Sequence, residues 1–298
     1  MGDFRYIVGE CPSALFGIQD KSVKLCVTSP PYWGLRCYGN TSQIGHEKLI
    51  DDYIDRLISV FAEVHRILKD DGTLWVVMGD SYAGSWGNYG ARKHTQREVT
   101  TSHRVRQAYE GENGWDGRPP TTYFKENGLK EKDLCGVPWR LATALRTWGW
   151  YLRRDIIWDK EFYSIDSVSD RPSQTHEYIF MLSKNATYSY DRNAANGMML
   201  NFDPRRSVWS TCLRPKGLGH PASFPIDIIV PIVLMATDAG DIVLDPFCGV
   251  GTSIRVAVSH GRMGIGVDLN FKYIQAAKGV SDDSRIGSNF IEMKNGTD

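Results

Sequence analysis

No two of the six cysteines in the 298-residue chain (Cys11, Cys26, Cys37, Cys135, Cys212 and Cys248) form a C-x-x-C pair. Their scatter through apolar surroundings argues for reduced thiols in a cytosolic protein and against a zinc knuckle or a disulfide framework. Neither sign of charge is in excess, because 35 Lys and Arg balance 35 Asp and Glu. A polyanionic partner would therefore have to be met by local basic patches rather than by an overall positive field. Long apolar runs are missing too. The longest, "FPIDIIVPIVLMA", is interrupted by Pro225, Asp227 and Pro231 and is too short to span a bilayer. The opening "MGDFRYIVGE" is charged and short, unlike a signal peptide. These absences predict a soluble chain with no membrane partner. Internal repeats and low-complexity tracts are also absent, and 42% hydrophobic residues are ample for a buried core.

What is present alternates between strand and helix patterns. "RYIVGE" and "SVKLCVT" read as strands. "LIDDYIDRLISVFAEVHRILKDDG" then carries Ile54, Leu57, Ile58, Phe61, Val64, Ile67 and Leu68 at helical spacing, which predicts a helix ending at Gly72. "TLWVVMGD" follows as a strand. Uniformly apolar strands around a helix imply a parallel sheet covered on both faces. Residues 81–135 break the pattern: they are rich in Gly, Tyr, Trp and Arg, contain "ARKHTQREVTTSHRVRQ", and read as a long excursion from the sheet. Regular structure resumes with "VPWRLATALRTWGW" as a helix stopped by glycine, then "YLRRDIIWDK" and "HEYIFMLSK" as strands. The last stretch reads helix ("PIDIIVPIVLMATDAG"), strand and Gly-rich turn ("DIVLDPFCGVGTS"), helix ("IRVAVSHGR") and strand ("MGIGVDLN").

Two strand ends stand out. In "VLDPFCGVGTS" an apolar strand stops at Asp245, and Gly249 and Gly251 open a helix, as needed where a backbone turns sharply and a ligand approaches closely. The next strand ends in Asp268, about where an acid meets ribose hydroxyls in nucleotide-binding α/β folds. The third glycine of a dinucleotide fingerprint is missing, and so is the Gly-Lys-Ser/Thr of a phosphate loop. A nucleoside ligand without pyrophosphate is favoured, although a tight turn with no ligand fits the same local pattern. The second strand end is "TSPPYW" at 28–33, with two prolines and two aromatics placed where "SVKLCVT" stops. On its own it reads as a strand terminated by a Pro-Pro turn.

Taken in order, "SPPY" at 29–32 and "DPFCGVGT" at 245–252 resemble the S-adenosylmethionine-dependent DNA amino-methyltransferases in their circularly permuted beta class. In that family the catalytic tetrapeptide likewise precedes the cofactor signature. "VGEC", "DGTLWVVMGD", "LRRDIIWDK", "HEYIFMLSKNATYSYD", "SVWS", "HPASFP" and "HGRMGIGVDLN" extend the likeness along nearly the whole chain. The resemblance implies a Rossmann-like class I methyltransferase fold, a seven-stranded mixed α/β sheet with helices on both faces and one antiparallel strand near an edge. It also implies a single catalytic domain over 1–298, with a catalytic half at 1–80 and 136–192, a cofactor half at 220–298, and 81–135 as an insertion.

Carried over residue by residue, the resemblance puts Ser29, Pro30, Pro31 and Tyr32 in the catalytic site. S-adenosylmethionine would be held by Glu10, His220, Phe224, Asp245, Phe247, Gly249, Gly251, Thr252 and Asp268. Two of these depart from the family: Glu10 stands where Asp is usual, and Asp268 where Glu is commoner. A solvated turn acid is the alternative for Glu10. The tetrapeptide suits amine methylation, because an exocyclic base amine becomes nucleophilic when both its N–H groups donate to fixed acceptors. Ser29 Oγ and the Pro30 carbonyl are the candidates, held by prolines of fixed φ. Tyr32 would stack on a base rotated out of the duplex. No covalent intermediate and no metal are implied, and Cys248 reads as a small packing residue.

Ser at the first position favours cytosine N4 in this family, with adenine N6 as the alternative. Double-stranded DNA is the expected partner, in the cytoplasm of a prokaryotic or phage-infected cell. A cognate restriction enzyme would fit, and a monomer and a homodimer both remain open. Within 81–135, Arg92, Lys93, Arg97, Arg104 and Arg106 are candidate DNA contacts, the alternative being a solvated basic loop. "RPKGLGH" at 214–220 is a smaller candidate. Asp80 could line the base pocket or cap a turn. Competing functions are a methyltransferase for RNA or protein glutamine, a nicotinamide-dependent oxidoreductase, and a DNA-binding protein whose catalytic site has decayed.

Overall fold

The structure, a computed structural model, describes residues 3–34, 43–83, 125–160, 169–198, 200–211 and 225–281. The described strands form one sheet of eight: β1 (Phe4–Val8), β2 (Val23–Thr28), β3 (Leu68–Met78), β4 (Tyr151–Lys160), β5 (His176–Ser183), β6 (Val208–Thr211), β7 (Ile242–Asp245) and β8 (Met263–Asp268). Their spatial order is β1-β8-β7-β2-β3-β5-β4-β6. Every neighbouring pair is parallel except those of β5, which runs antiparallel to both β3 and β4. The mixed sheet with one reversed strand near an edge is as expected, and the count is one strand higher than the seven anticipated.

Helix α1 (Ile50–Ile67) follows the predicted periodicity: Ile50, Tyr53, Ile54, Leu57, Phe61, Val64 and Ile67 are all buried. Asp51 and Asp52 lie in its first turn and His65 and Arg66 in its last, which suits the helix dipole at both ends. The helix stops at Ile67 and not at Gly72, because residues from Leu68 onward already belong to β3. Polar pairing accounts for this early stop. Lys21 binds Asp70 at 2.9 Å, Lys24 binds Asp71, and Lys69 binds Asp241 at 2.7 Å, so this segment is tied in extended form to the chain beside it. The β2–β3 register shifts between Val23 and Leu25, where the additional residues are absorbed.

Helices α2 (Val137–Trp148), α3 (Ile226–Ala236), α4 (Thr252–Ser259) and α5 (Phe271–Ser281) complete the described elements. One core cluster joins Leu25 and Val27 of β2, Trp75 and Val77 of β3 and Val243 of β7 to Ile228, Ile229 and Ile232 of α3 and to Val256 and Ala257 of α4. Burying a set of this size supplies the main drive for closing these helices on the sheet.

The chain divides into two compact units, residues 1–30, 58–78 and 142–298 in the first and 31–57 and 79–141 in the second. All eight strands belong to the first. In the second, the Cys135 N–H donates to the Ser81 carbonyl at 2.9 Å, the Ala83 N–H donates to the Asp133 carbonyl at 2.8 Å, and Tyr82 bridges Leu134. The two ends of the 81–135 excursion are thus clasped together. Within the first unit, β1, β8, β7 and β2 are adjacent and parallel, so Glu10, Asp268, Asp245 and Ser29 all lie at or just beyond carboxyl ends on one border of the sheet. Ligands of open α/β sheets bind at that border.

Candidate active site

Where β2 and β7 end side by side, the Thr28 hydroxyl donates to Asp245 Oδ1 at 2.6 Å. The same carboxylate accepts from the Phe247 N–H at 3.1 Å and, through Oδ2, from the Ser253 hydroxyl at 2.5 Å. Asp245 is only 1% exposed. It therefore locks the start of the Gly-rich turn to the strand that carries Ser29 and to the first turn of α4. Burial pushes its carboxyl up from the ordinary 3.8 to about 6, outweighing the three hydrogen bonds that favour the charged form.

A raised carboxyl pKa has a definite sign in stability. Between about pH 4 and pH 6 the native protein binds more protons at Asp245 than the unfolded chain does, so its contribution to stability falls as pH rises through that window. The wild type should lose about 2 kcal/mol across it relative to Asp245→Asn. Urea unfolding of the two proteins at about pH 4 and pH 7 measures the difference. Equal pH slopes would remove the assignment.

The turn itself is tied to β8. The Gly249 N–H donates to Asp268 Oδ2 at 2.9 Å, the Asn270 N–H to Oδ1 at 2.7 Å, and the Cys248 N–H to the Val267 carbonyl at 2.8 Å. Each Asp268 oxygen keeps a further lone pair. Half-buried at the strand end, the carboxylate sits where it can accept from ligand hydroxyls, and burial raises its pKa. Gly251 has φ +79°, and a Cβ there would collide with the Tyr6 hydroxyl and stand 3.1 Å from the Ala277 Cβ. The Thr252 hydroxyl accepts from the buried Arg255 at 3.3 Å. Phe247 is half-buried, and Cys248 packs with Ile254 and Ile274. On the next strand, the Gly9 N–H donates to the Asp268 carbonyl, and the exposed Glu10 uses its own carbonyl to accept from the Ala14 N–H and the Ser13 hydroxyl.

Ser29 and Pro30 continue directly from β2. After them, the Pro31 carbonyl accepts from the buried Tyr53 hydroxyl at 2.8 Å. Trp33 is 2% exposed and donates through Nε1 to the Glu47 carbonyl at 2.8 Å. The Gly34 N–H donates to the Gly45 carbonyl, while the Glu47 carboxylate accepts from the Gly45 N–H at 2.8 Å and from Arg56 at 2.7 Å. Gly45, at φ +103°, lets this bracing loop approach the Tyr32 carbonyl, from which a Cβ would be 3.0 Å away. These contacts brace Pro31 to Gly34, and the Pro31 carbonyl already has a donor.

Asp80 resolves to a cap. Its carboxylate accepts from the N–H groups of Ser81, Gly136 and Val137 at 2.9, 3.0 and 3.2 Å, closing the N-terminus of α2. His220, Phe224, Arg92, Lys93, Arg97, Arg104, Arg106 and the "RPKGLGH" segment lie outside the described residues. Sequence reasoning overlooked Thr28, Ser253, Tyr6 and Tyr53. The first two flank recognised motifs and could have been found as hydroxyls next to a buried acid. Tyr6 and Tyr53 carry no such local signal.

The sheet order and the two strand-end motifs define a Rossmann-like α/β fold of the methyltransferase type. Family comparison agrees: the DNA methylase family of the N6/N4 type matches residues 23–279. The type II methyltransferase M.Cfr9I of Citrobacter freundii is 42% identical over 271 residues, 90% of this chain and 84% of the relative. The type II methyltransferase M.SmaI of Serratia marcescens is 43% identical over 278 residues, 92% of this chain and 89% of the relative. Among solved structures, the PvuII DNA methyltransferase (cytosine-N4-specific) shares the fold, with TM-score 0.65 at 18% identity over 99% of this chain and 92% of that one. TTHA0409 of Thermus thermophilus, complexed with S-adenosyl-L-methionine, matches with TM-score 0.59 at 25% identity over 94% of this chain and 93% of that one. The chain belongs to the N6/N4 DNA methylase family. No helix among its described residues is long and apolar enough to cross a membrane.

Proposed function

We propose that this DNA methyltransferase moves a methyl group from S-adenosylmethionine to the exocyclic N4 of a cytosine rotated out of duplex DNA. The observation that carries the reading is the Thr28–Asp245 hydrogen bond, which ties the acceptor-bearing strand end to the Gly-rich turn. S-adenosylmethionine supplies a methyl on a positively charged sulfur, already activated for attack. The residues present fit it: Asp268 keeps acceptor capacity for ribose hydroxyls, and the positive φ of Gly249 and Gly251 gives the turn beside it its sharp bend. Asp245 acts by holding that turn, since its oxygens are used inside the protein.

Ser29 Oγ and the Pro30 carbonyl each accept one N–H of the target amine, which frees the nitrogen lone pair for attack. The donor already bound at the Pro31 carbonyl leaves Pro30 as the backbone acceptor. Tyr32 stacks on the extruded base, and Trp33 packs behind it. In-line placement of amine and methyl is the main catalytic contribution, of the order of several kcal/mol. The excursion at 81–135 contributes to reading the target, with its arginines on base edges or phosphates. DNA treated with enzyme and donor should yield N4-methylcytosine on nucleoside mass spectrometry. N6-methyladenine in its place would transfer the same mechanism to adenine and overturn the cytosine assignment.

A further inference from the structure

On the half of the sheet away from the cofactor turn, a cavity of about 190 Å³ opens beside β3, β4 and β5. Its floor is apolar, built from Trp75, Ile156 and Met181, with Tyr190 stacked on Trp75 at 6.4 Å. Five arginines line it: Arg153, Arg154, Arg192, Arg205 and Arg206. No acidic side chain among the described residues lines it, although Asp203 stands close enough to be stabilised by both Arg205 and Arg192. Arg205 is committed to Asp203 at 2.8 Å, and Arg153 lies over the Tyr188 ring at 5.4 Å with its Nε donating to that hydroxyl at 3.2 Å. Arg154, Arg192 and Arg206 have no ion pair among the described residues. In a chain of zero net charge, such a local excess of cations is unusual.

Guanidiniums gathered around one cavity repel one another weakly while solvated, and an anion shared between them turns that repulsion into attraction. A rigid fork of donors on each matches the tetrahedral oxygens of phosphate, and several forks can share one group. We propose that this cavity is a phosphate-binding site separate from the methyl-transfer centre, in which Arg154, Arg192 and Arg206 hold the anion and Arg153, set by Tyr188, completes the ring. The phosphate could belong to a DNA backbone or to a free phosphate compound, and the chemistry at the protein is the same. Backbone binding rests on the proposed action on DNA; phosphate binding does not.

The test uses the full chain and an Arg154→Ala/Arg192→Ala/Arg206→Ala variant. These side chains are exposed, and a thermal melt checks that the fold is kept. Calorimetric titration with inorganic pyrophosphate reads the site without any methyl transfer, and fluorescence anisotropy with a labelled duplex lacking methylation targets reads backbone binding. If the source is DNA, the triple variant should bind the duplex at least tenfold more weakly at low salt. Its plot of log affinity against log salt should be shallower by about 1, the share of the single phosphate that is no longer neutralised. If the source is free phosphate, pyrophosphate should bind the wild type and not the variant while duplex binding stays equal. The triple Arg→Lys variant should recover part of either loss, because charge remains when the fork is gone. Unchanged pyrophosphate and duplex binding in a folded alanine variant would overturn the proposal.

Discussion

A Ser29→Ala protein is expected to transfer methyl groups about 10²- to 10³-fold more slowly than wild type in single-turnover assays, the usual cost of removing one preorganised polar contact from a reacting centre. Its affinity for S-adenosylmethionine should be unchanged, because Ser29 is assigned to the amine and the glycine turn is held through Thr28 and Asp245. Ser29 is half-buried at a strand end, and the hydrogen bonds of Thr28 to Asp245 and of Tyr53 to the Pro31 carbonyl are ones that the substitution does not touch. The loss should therefore appear in the chemical step and not in stability. Comparable turnover by Ser29→Ala and wild type would remove Ser29 from the site. A large fall in cofactor affinity would instead move it to the cofactor side.

Gly251→Ala should have its effect earlier, on binding. At φ +79° a residue with a Cβ carries a penalty of about 1–2 kcal/mol even in open space. Here the added carbon also meets the Tyr6 hydroxyl and lies 3.1 Å from the Ala277 Cβ, so β1 or α5 must yield or the turn must deform. Deformation would displace Gly249 from Asp268, whose mutual hydrogen bond sets the cradle. Cofactor affinity is expected to fall about five- to thirtyfold, the equivalent of the left-handed penalty alone, with a lower unfolding midpoint. Equilibrium dialysis with labelled cofactor and a urea titration measure the two. A Tyr6→Phe/Gly251→Ala protein should regain part of the stability, since the hydroxyl collision goes while the backbone penalty stays. Wild-type affinity in Gly251→Ala would mean that the turn does not serve the cofactor.

Much of the fold could be read from the sequence, because the central parallel strands β2 and β7 and the second half of β3 are buried on both faces and so appear as short, unbroken apolar runs. β2 is buried at all six positions, and β7 and β8 end at the two acids that the patterns marked. The end of α1 was not legible. Leu68 completes the helical spacing and Gly72 looks like a stop, yet the lysine and aspartate pairs that hold 68–72 extended involve Lys21, Lys24 and Asp241, which no local window contains. The same limit applies at the site. Thr28 and Asp245 are 217 positions apart, so their bond is a property of strand order, which periodicity does not encode. Asp80 admitted two readings until the N-terminus of α2 supplied two of its three donors. The preferred base stays beyond this kind of reading for a chemical reason: hydroxyl and carboxylate both accept from an amine.

The clasp at Ser81–Ala83 and Asp133–Cys135 makes the segment between a replaceable cassette. Because the chain departs and returns at one place, the length and content of the insert can change without stretching what precedes or follows it. On the proposed reading, in which 81–135 contributes to target selection, grafting the corresponding span of a relative between those two anchor points should exchange target preference while methyl transfer itself continues. Lineages carrying this enzyme would then have a simple route to new specificities.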